Sequence, residues 1–259
     1  MTNANKNTAL ILEPRDDVRV VHLIHDFQQK LGNEWVIVFY CGKSLKSKMM
    51  ERLNSEVEVR ELPVSNFDSL HEYSDFMKRK ELWQSLYGNF VLTFQFDTYI
   101  MNKPPYTIQH FIDMNKSYIG GNMDLKWREL DREKIFVNVN DQNFNGGLSL
   151  RKRFDMMKII NTFGVEQTTS PSSKMQTDAE DVYFTLGCYA LGLPVSDDAA
   201  CMHFCINRIL VDGSFGVHKP IAALLKKSEK ISKLYCNETN KFLLNDNNNN
   251  DNNNHNATL

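Results

Sequence analysis

The chain has 259 residues and a net charge of −2, with acids and bases mixed along its length, which excludes the basic footprint of a nucleic-acid binder. No apolar run approaches the roughly 20 residues of a membrane-spanning helix, and the polar first ten residues lead to the expectation of no secretory signal. Five cysteines (Cys41, Cys188, Cys201, Cys205 and Cys236) are scattered and odd in number, with no paired C-x-x-C. They read as buried, reduced thiols of a cytoplasmic protein rather than as disulfides or a structural zinc site.

Met1 to Asn7 is a polar lead-in to one domain expected over 8–235. Thr8 to Leu12 reads as a short buried strand, stopped by the proline of Glu13-Pro14-Arg15. Asp16 and Asp17 suit the first turn of a helix, where the dipole favours negative charge. Val20, Leu23, Ile24, Phe27 and Leu31 then recur at helical spacing, and Gly32 ends the element. Trp35 to Tyr40 is a continuous apolar run and a second buried strand. Leu45 to Leu53 is helical, and Val57 to Leu62 alternates as a half-covered strand closed by Pro63. Phe67 to Leu86 carries one or two helices.

Asn89 to Ile100 is the stretch the rest is organised around. Phe90 to Phe94 has the composition of a strand covered on both faces. Continued alternation sends Gln95 and Asp97 to one face and Phe94 and Phe96 to the other. Strand and helix thus alternate through 8–100, which predicts an α/β fold with a mainly parallel open sheet and helices on both faces. No G-x-G-x-x-G follows the first strand, so dinucleotide binding is not expected.

The second half, 101–235, is less regular. Pro104-Pro105 breaks the chain, Ile108 to Ile112 suits a short helix, and Tyr118 to Gly121 suits a strand ending in a loop. Asn143 to Leu150 combines a turn with a short strand. Arg151 to Phe163 reads as a helix, Glu166 to Thr177 as a loop, and Asp178 to Leu191 as a helix with acids crowding its first turn. Met202 to Ile206 is a candidate strand, Phe215 to Pro220 a loop, and Ile221 to Tyr235 a last amphipathic helix. The Asn-rich tail, 245–259, has nothing to bury and is expected to be disordered.

Four pieces carry chemistry. A carboxylate at a strand end, Asp97, either caps the turn or holds a hard divalent cation with phosphate oxygens. Asn145-Gly146-Gly147 either makes a plain hairpin turn or lets the backbone approach a ligand closely. Glu180 and Asp181 are either partners of the helix dipole or a proton acceptor beside a hydrogen-bonding acid. His218-Lys219 is either a surface loop or an imidazole ligand beside a charge for phosphate. The other histidines, His22, His25, His71, His110 and His203, have no such setting.

In this order the pieces resemble the GT-A class of nucleotide-sugar glycosyltransferases, and most of all a domain-of-unknown-function family with glycosyltransferase-like character. The residues that carry the likeness are Phe94-Gln95-Phe96-Asp97, Tyr118-Ile119-Gly120, Asn145 to Arg151, Glu180-Asp181-Val182-Tyr183 and Phe215 to Pro220. The resemblance implies a sugar transferred from a nucleotide diphosphate donor to a hydroxyl of a glycan or protein, with Mn²⁺ or Mg²⁺. It makes Asp97 and His218 the metal ligands and sets Lys219 near the diphosphate. Asn145, Gly146 and Gly147 would face donor sugar or acceptor, and Glu13, Pro14 and Arg15 would border the nucleotide. Asp181 would be the base of an inverting mechanism, with Glu180 as second choice. Two departures stand out: Gln95 replaces the first acid of the family's D-x-D pair, and Gly121-Asn122-Met123 replaces the usual Ala-Pro-Trp. The competing readings are a binding protein that kept the fold, and a nucleotidyltransferase, which needs more acids near Asp97 than are seen.

Overall fold

A computed structural model describes residues 5–122, 144–164, 179–207 and 211–219. Its elements are β1 (Asn7–Glu13), α1 (Val18–Leu31), β2 (Trp35–Cys41), α2 (Lys46–Arg52), β3 (Glu58–Glu61), α3 (Leu70–Met77), α4 (Lys80–Gln84) and β4 (Phe90–Phe94). Then come β5 (Thr98–Ile100), α5 (Ile108–Asp113), β6 (Tyr118–Asn122), β7 (Phe144–Lys152), α6 (Arg153–Phe163), α7 (Glu180–Ala190), α8 (Asp198–Phe204), β8 (Cys205–Ile206) and β9 (Gly216–His218).

The main sheet has six strands in the order β3-β2-β1-β4-β7-β6. β1 to β4 run parallel, and β7 is antiparallel to both of its neighbours. A small second sheet is ordered β5-β9-β8. The period of two along β1 and β2 divides their side chains between two cores. Ala9, Ile11, Ile37 and Phe39 face α1, meeting Val20, Ile24 and Phe27. Leu10, Leu12, Val36 and Val38 face the helices of the other side, with Trp83, Met156 and Ile159. The sheet is thus covered on both faces, as the apolar runs require. α1 starts where Asp17 accepts the Arg19 N–H, and it ends at Gly32, whose φ of 72° suits a residue without a side chain.

Four expectations change. The helix expected over Arg151–Phe163 begins at Arg153, because Arg151 and Lys152 pair with Val91 and Phe90 as the end of β7. The Asn89–Ile100 stretch is not one strand: the chain leaves the main sheet after Phe94, and Gln95 to Asp97 form a turn. The Gln95 carbonyl accepts from both the Thr98 N–H (3.1 Å) and the Thr98 hydroxyl (2.6 Å), which closes that turn and starts β5. Met202 to Phe204 is helical, because Asp197 caps α8 through the Ala200 N–H, and strand begins only at Cys205. Phe215 to Pro220 is not all loop, since Gly216 to His218 pairs with β5. The expected loop at Glu166–Thr177, the helix at Ile221–Tyr235, the tail at 245–259, Cys236 and Pro220 lie outside the described residues. Among the described residues no helix is long and apolar enough to cross a membrane.

Candidate functional site

Three segments meet beyond the carboxyl end of β4, where open α/β sheets leave room for ligands. The first is the turn Gln95–Asp97. Antiparallel pairing of β5 with β9 sets Thr98 opposite His218, which carries Asp97 to His218 and Lys219. The Lys219 N–H donates to the Asp97 carbonyl at 3.1 Å. His218 Nε2 lies 3.4 Å from Asp97 Oδ1, too far for a well-formed hydrogen bond. The imidazole is buried, and neither ring nitrogen has a hydrogen-bond partner among the described residues.

The second segment is a bulge in β7. Gly120 of β6 pairs with Ser149, but Gly121 pairs with Asn145, so Gly146, Gly147 and Leu148 have no partner on β6. The Asn-Gly hairpin reading therefore fails, because these residues lie inside a strand that bends out toward the site. Glycine is required twice. A Cβ on Gly147 would sit 2.2 Å from His218 Nε2, and one on Gly146 would sit 2.2 Å from Glu180 Oε1. The Gly147 carbonyl accepts the Gln95 N–H (2.8 Å), and its N–H donates to Asn145 Oδ1 (2.8 Å). That bond occupies one acceptor site of the Asn145 amide.

The third segment is the start of α7. Its N-cap, Ala179, offers no side-chain acceptor. Asp181 accepts instead, from the Val182 N–H on Oδ1 (2.8 Å) and from the Gly146 N–H on Oδ2 (3.1 Å). Glu180 is turned inward and buried. It holds the fully buried Arg151 through two bonds, Nη1 to Oε2 at 2.5 Å and Nη2 to Oε1 at 3.1 Å.

These surroundings push the two nearby aspartates in opposite directions. Burial raises Asp97, but the facing His218 and Lys219 outweigh it and hold the carboxyl below its usual range. Burial and the neighbouring Glu180 push Asp181 up to about 6, against the Gly146 N–H and Arg151. Of the two carboxyls, Asp97 is thus the more readily ionised and Asp181 the more readily protonated.

Two adjoining cavities open here. The larger, of 510 Å³, is lined by Glu13, Pro14 and Arg15 on one side and by Gln95, Asp97 and Lys219 on the other. The smaller, of 260 Å³, is lined by Asn145, Gly146, Gly147, Glu180, Asp181 and His218 among others. The candidate site residues Glu13 to Arg15, Gln95, Asp97, Asn145 to Gly147, Glu180, Asp181, His218 and Lys219 thus all line one or both cavities, which share Gln95 and Lys219. Glu13 is not free to read a ligand, because its two oxygens accept from Arg15 Nε and Nη2 at 2.7 Å each. Arg15 in turn lies over the Phe96 ring, 5.4 Å from its centre.

The residues present fit a divalent cation as a two-sided site. A buried imidazole nitrogen without a partner faces an ionised carboxylate, and the ring rests on a glycine that leaves room for it. Among the described residues no cluster of three His, Cys, Asp or Glu side chains forms, so phosphate oxygens and the Gln95 amide are left to complete a shell.

Tyr73 and Leu70 were not singled out from the sequence, yet both line both cavities. The Gln95 side chain reaches the Tyr73 hydroxyl, and burial with Glu180 nearby pushes that phenol upward. In the sequence Tyr73 is one more apolar position of a helix, and nothing local marks it. Arg151 reads from the sequence as the start of a helix, and its place on β7, two residues from Ser149 on one face, follows only from the pairing with β4.

A family model described as "Protein of unknown function (DUF5672)" matches residues 56–218. No curated protein matches the sequence. Among solved structures, the galactosyltransferase LgtC, crystallised in complex with donor and acceptor sugar analogs, is similar with a TM-score of 0.56 at 12% identity. The match covers 83% of this chain and 88% of LgtC. The fold is that of LgtC, the GT-A fold.

Proposed function

The chain belongs to the DUF5672 family of proteins of unknown function, and we propose that it is a glycosyltransferase moving a sugar from a nucleotide diphosphate donor to a hydroxyl of a glycan or protein. One observation carries the reading. Asp97 and His218, far apart in sequence, meet 3.4 Å apart in a cleft that also holds two obligatory glycines and Asp181. The likeness of fold to a galactosyltransferase supports it.

The larger cavity takes the nucleotide, bordered by Pro14, Arg15 and Phe96, and draws almost wholly on 8–100. The smaller cavity takes the sugar and the attacking hydroxyl, with the acceptor side built from 101–235. Asp97 and His218 would hold Mn²⁺ or Mg²⁺, with Gln95 beside them, and such a cation would supply positive charge against the departing diphosphate. Lys219, next in the chain, adds a positive charge to the same phosphates. Gly146 and Gly147 let the backbone close on the sugar. In the transfer step the acceptor oxygen bonds to the anomeric carbon while the bond from that carbon to the diphosphate oxygen breaks. The diphosphate leaves with the electron pair, and Asp181 takes the hydroxyl proton. Glu180, with both oxygens on Arg151, is not the proton acceptor in this scheme. Four free, buried cysteines support a reducing, cytoplasmic setting.

A second reading, a nucleotide- or sugar-binding protein without turnover, draws support from Gln95, which removes one charge from the cation site. A thermal-shift screen of nucleotide sugars with and without Mn²⁺ tests binding. Donor hydrolysis in Mn²⁺ separates enzyme from binding protein. Unchanged donor affinity of Asp97→Ala by calorimetry would count against the assignment of the cation site.

A further inference from the structure

Beneath the cleft lies a run of buried polar groups that the transfer step does not use. Arg151 is fully buried, between the rings of Tyr118 (4.6 Å to the centre) and Phe184 (5.4 Å). Its two terminal nitrogens grip Glu180, and its Nε donates to Ser149 Oγ at 2.9 Å. Ser149 Oγ lies 2.6 Å from Thr93 Oγ1. The Gly146 carbonyl lies 3.1 Å from Thr93 Oγ1 and 3.3 Å from Ser149 Oγ, so one hydroxyl donates to the other and the second donates to that carbonyl. The Gly146 N–H donates to Asp181 Oδ2. Gly146 is therefore pinned at both ends of its backbone, and its missing Cβ is the space that Glu180 Oε1 and Arg151 Nη2 occupy.

We propose that Arg151 and Glu180 are positioning residues: their buried ion pair, with Ser149 and Thr93, fixes the Gly146–Gly147 bulge and aims the Asp181 carboxylate. The inference rests on the glycosyl-transfer reading for what Asp181 does, but not for how it is held. Geometry argues for a strut rather than a chemical role. Arg151 is sealed from the cleft, and Glu180 spends both oxygens on it. A fully desolvated ion pair is a poor device for stability alone, since apolar residues of similar size in its place are often neutral or stabilising. Here the pair joins β7 to the start of α7 and, through Ser149 and Thr93, to β4.

The test uses the full chain and separates holding from folding. Replacing both charges at once, Arg151→Met with Glu180→Leu, leaves no uncompensated ion in the core. The double variant is expected to melt close to the wild type, while its Gly146 amide exchanges with solvent about tenfold faster, the loss of roughly one hydrogen bond. Hydrolysis is followed with UDP-glucose, UDP-galactose, UDP-N-acetylglucosamine and GDP-mannose in Mn²⁺. On the substrate that is turned over, kcat falls about tenfold to a hundredfold with little change in KM, as a displaced catalytic group predicts. Ser149→Ala, which removes the contacts of Ser149 Oγ with Arg151 Nε, Thr93 Oγ1 and the Gly146 carbonyl and leaves Arg151 paired with Glu180, changes both readouts in the same direction and by less. A folded double variant with wild-type Gly146 exchange and kcat overturns the proposal; if it does not fold, wild-type behaviour of Ser149→Ala does so. Should the wild type hydrolyse none of the four, the glycosyltransferase reading fails by itself, and Gly146 exchange still decides whether the pair holds the bulge.

Discussion

β2 and β7 are both interior strands of one sheet, yet they are made of different material. β2 is Trp-Val-Ile-Val-Phe-Tyr-Cys, buried throughout, with its side chains shared between two apolar cores. β7 runs Phe-Asn-Gly-Gly-Leu-Ser-Leu-Arg-Lys, and there a serine and an arginine are as deeply buried as the leucines between them. Hydrophobic burial decides the first strand, and many sequences of similar volume would serve it. The second is decided by partners: Arg151 is tolerable only with Glu180, and the bulge only with two glycines. Where a strand takes on groups that the hydrophobic effect would expel, something other than folding is being specified.

The contrast predicts where substitutions act. The largest effect falls on Asp181→Asn, which keeps the shape and removes the proton acceptor. Turnover should drop by about 10²–10⁴-fold, with donor affinity within about twofold. The wild-type profile carries the same signature. Because folding raises the Asp181 carboxyl to about 6, the basic form fills as pH rises through that value. kcat should therefore climb from pH 5 to pH 7 and then level off. The group's effect on stability has the opposite sense: the folded state holds the proton more tightly than the unfolded chain, so this contribution is lost as pH rises from the ordinary carboxylate range to about 6. An acid limb that survives unchanged in a residual activity of Asp181→Asn would break the assignment.

Gly147→Ala comes next. A methyl group there meets the His218 ring, and the ring has no other place along a buried strand. Mn²⁺-dependent nucleotide binding, measured by calorimetry, should weaken about a hundredfold, as expected for displaced metal-binding geometry. Gln95→Asp is smaller and of opposite sign. It restores a second charge beside Asp97, and Mn²⁺ affinity without nucleotide, followed by electron paramagnetic resonance, should rise about tenfold. No gain would mean that the Gln95 position does not face the cation.

How much of this was readable in the sequence follows the same division. β1, β2 and β4 were visible as apolar runs because burial on both faces leaves a local mark, and β3 as the alternation of a half-covered strand. The end of β4 was misjudged, since alternation continues through Gln95 and Asp97 while the Thr98 hydroxyl, not any pattern, closes the turn. Asp97, Asp181 and His218 were singled out by residue type and by resemblance, and their meeting depends on pairings such as Thr98 with His218 that no local window contains. Tyr73 gave no signal, because a tyrosine on the buried face of a helix reads as core.

The finest test is a matched pair of neighbours in kind but not in place. Ile37→Val in β2 deletes one buried methylene and should cost about 1 kcal/mol of stability. Thr93→Val in β4 keeps the volume, deletes a hydroxyl bonded to Ser149 and to the Gly146 carbonyl, and should cost about as much. In chemical denaturation the two variants would be hard to tell apart. In nucleotide binding with Mn²⁺ they should separate: Ile37→Val unchanged, and Thr93→Val weaker by about threefold, because one hydroxyl of the two under the bulge is gone. Equal affinities would show that the polar side of the sheet is only an expensive way to fold. A threefold gap at equal stability would show that it holds the site.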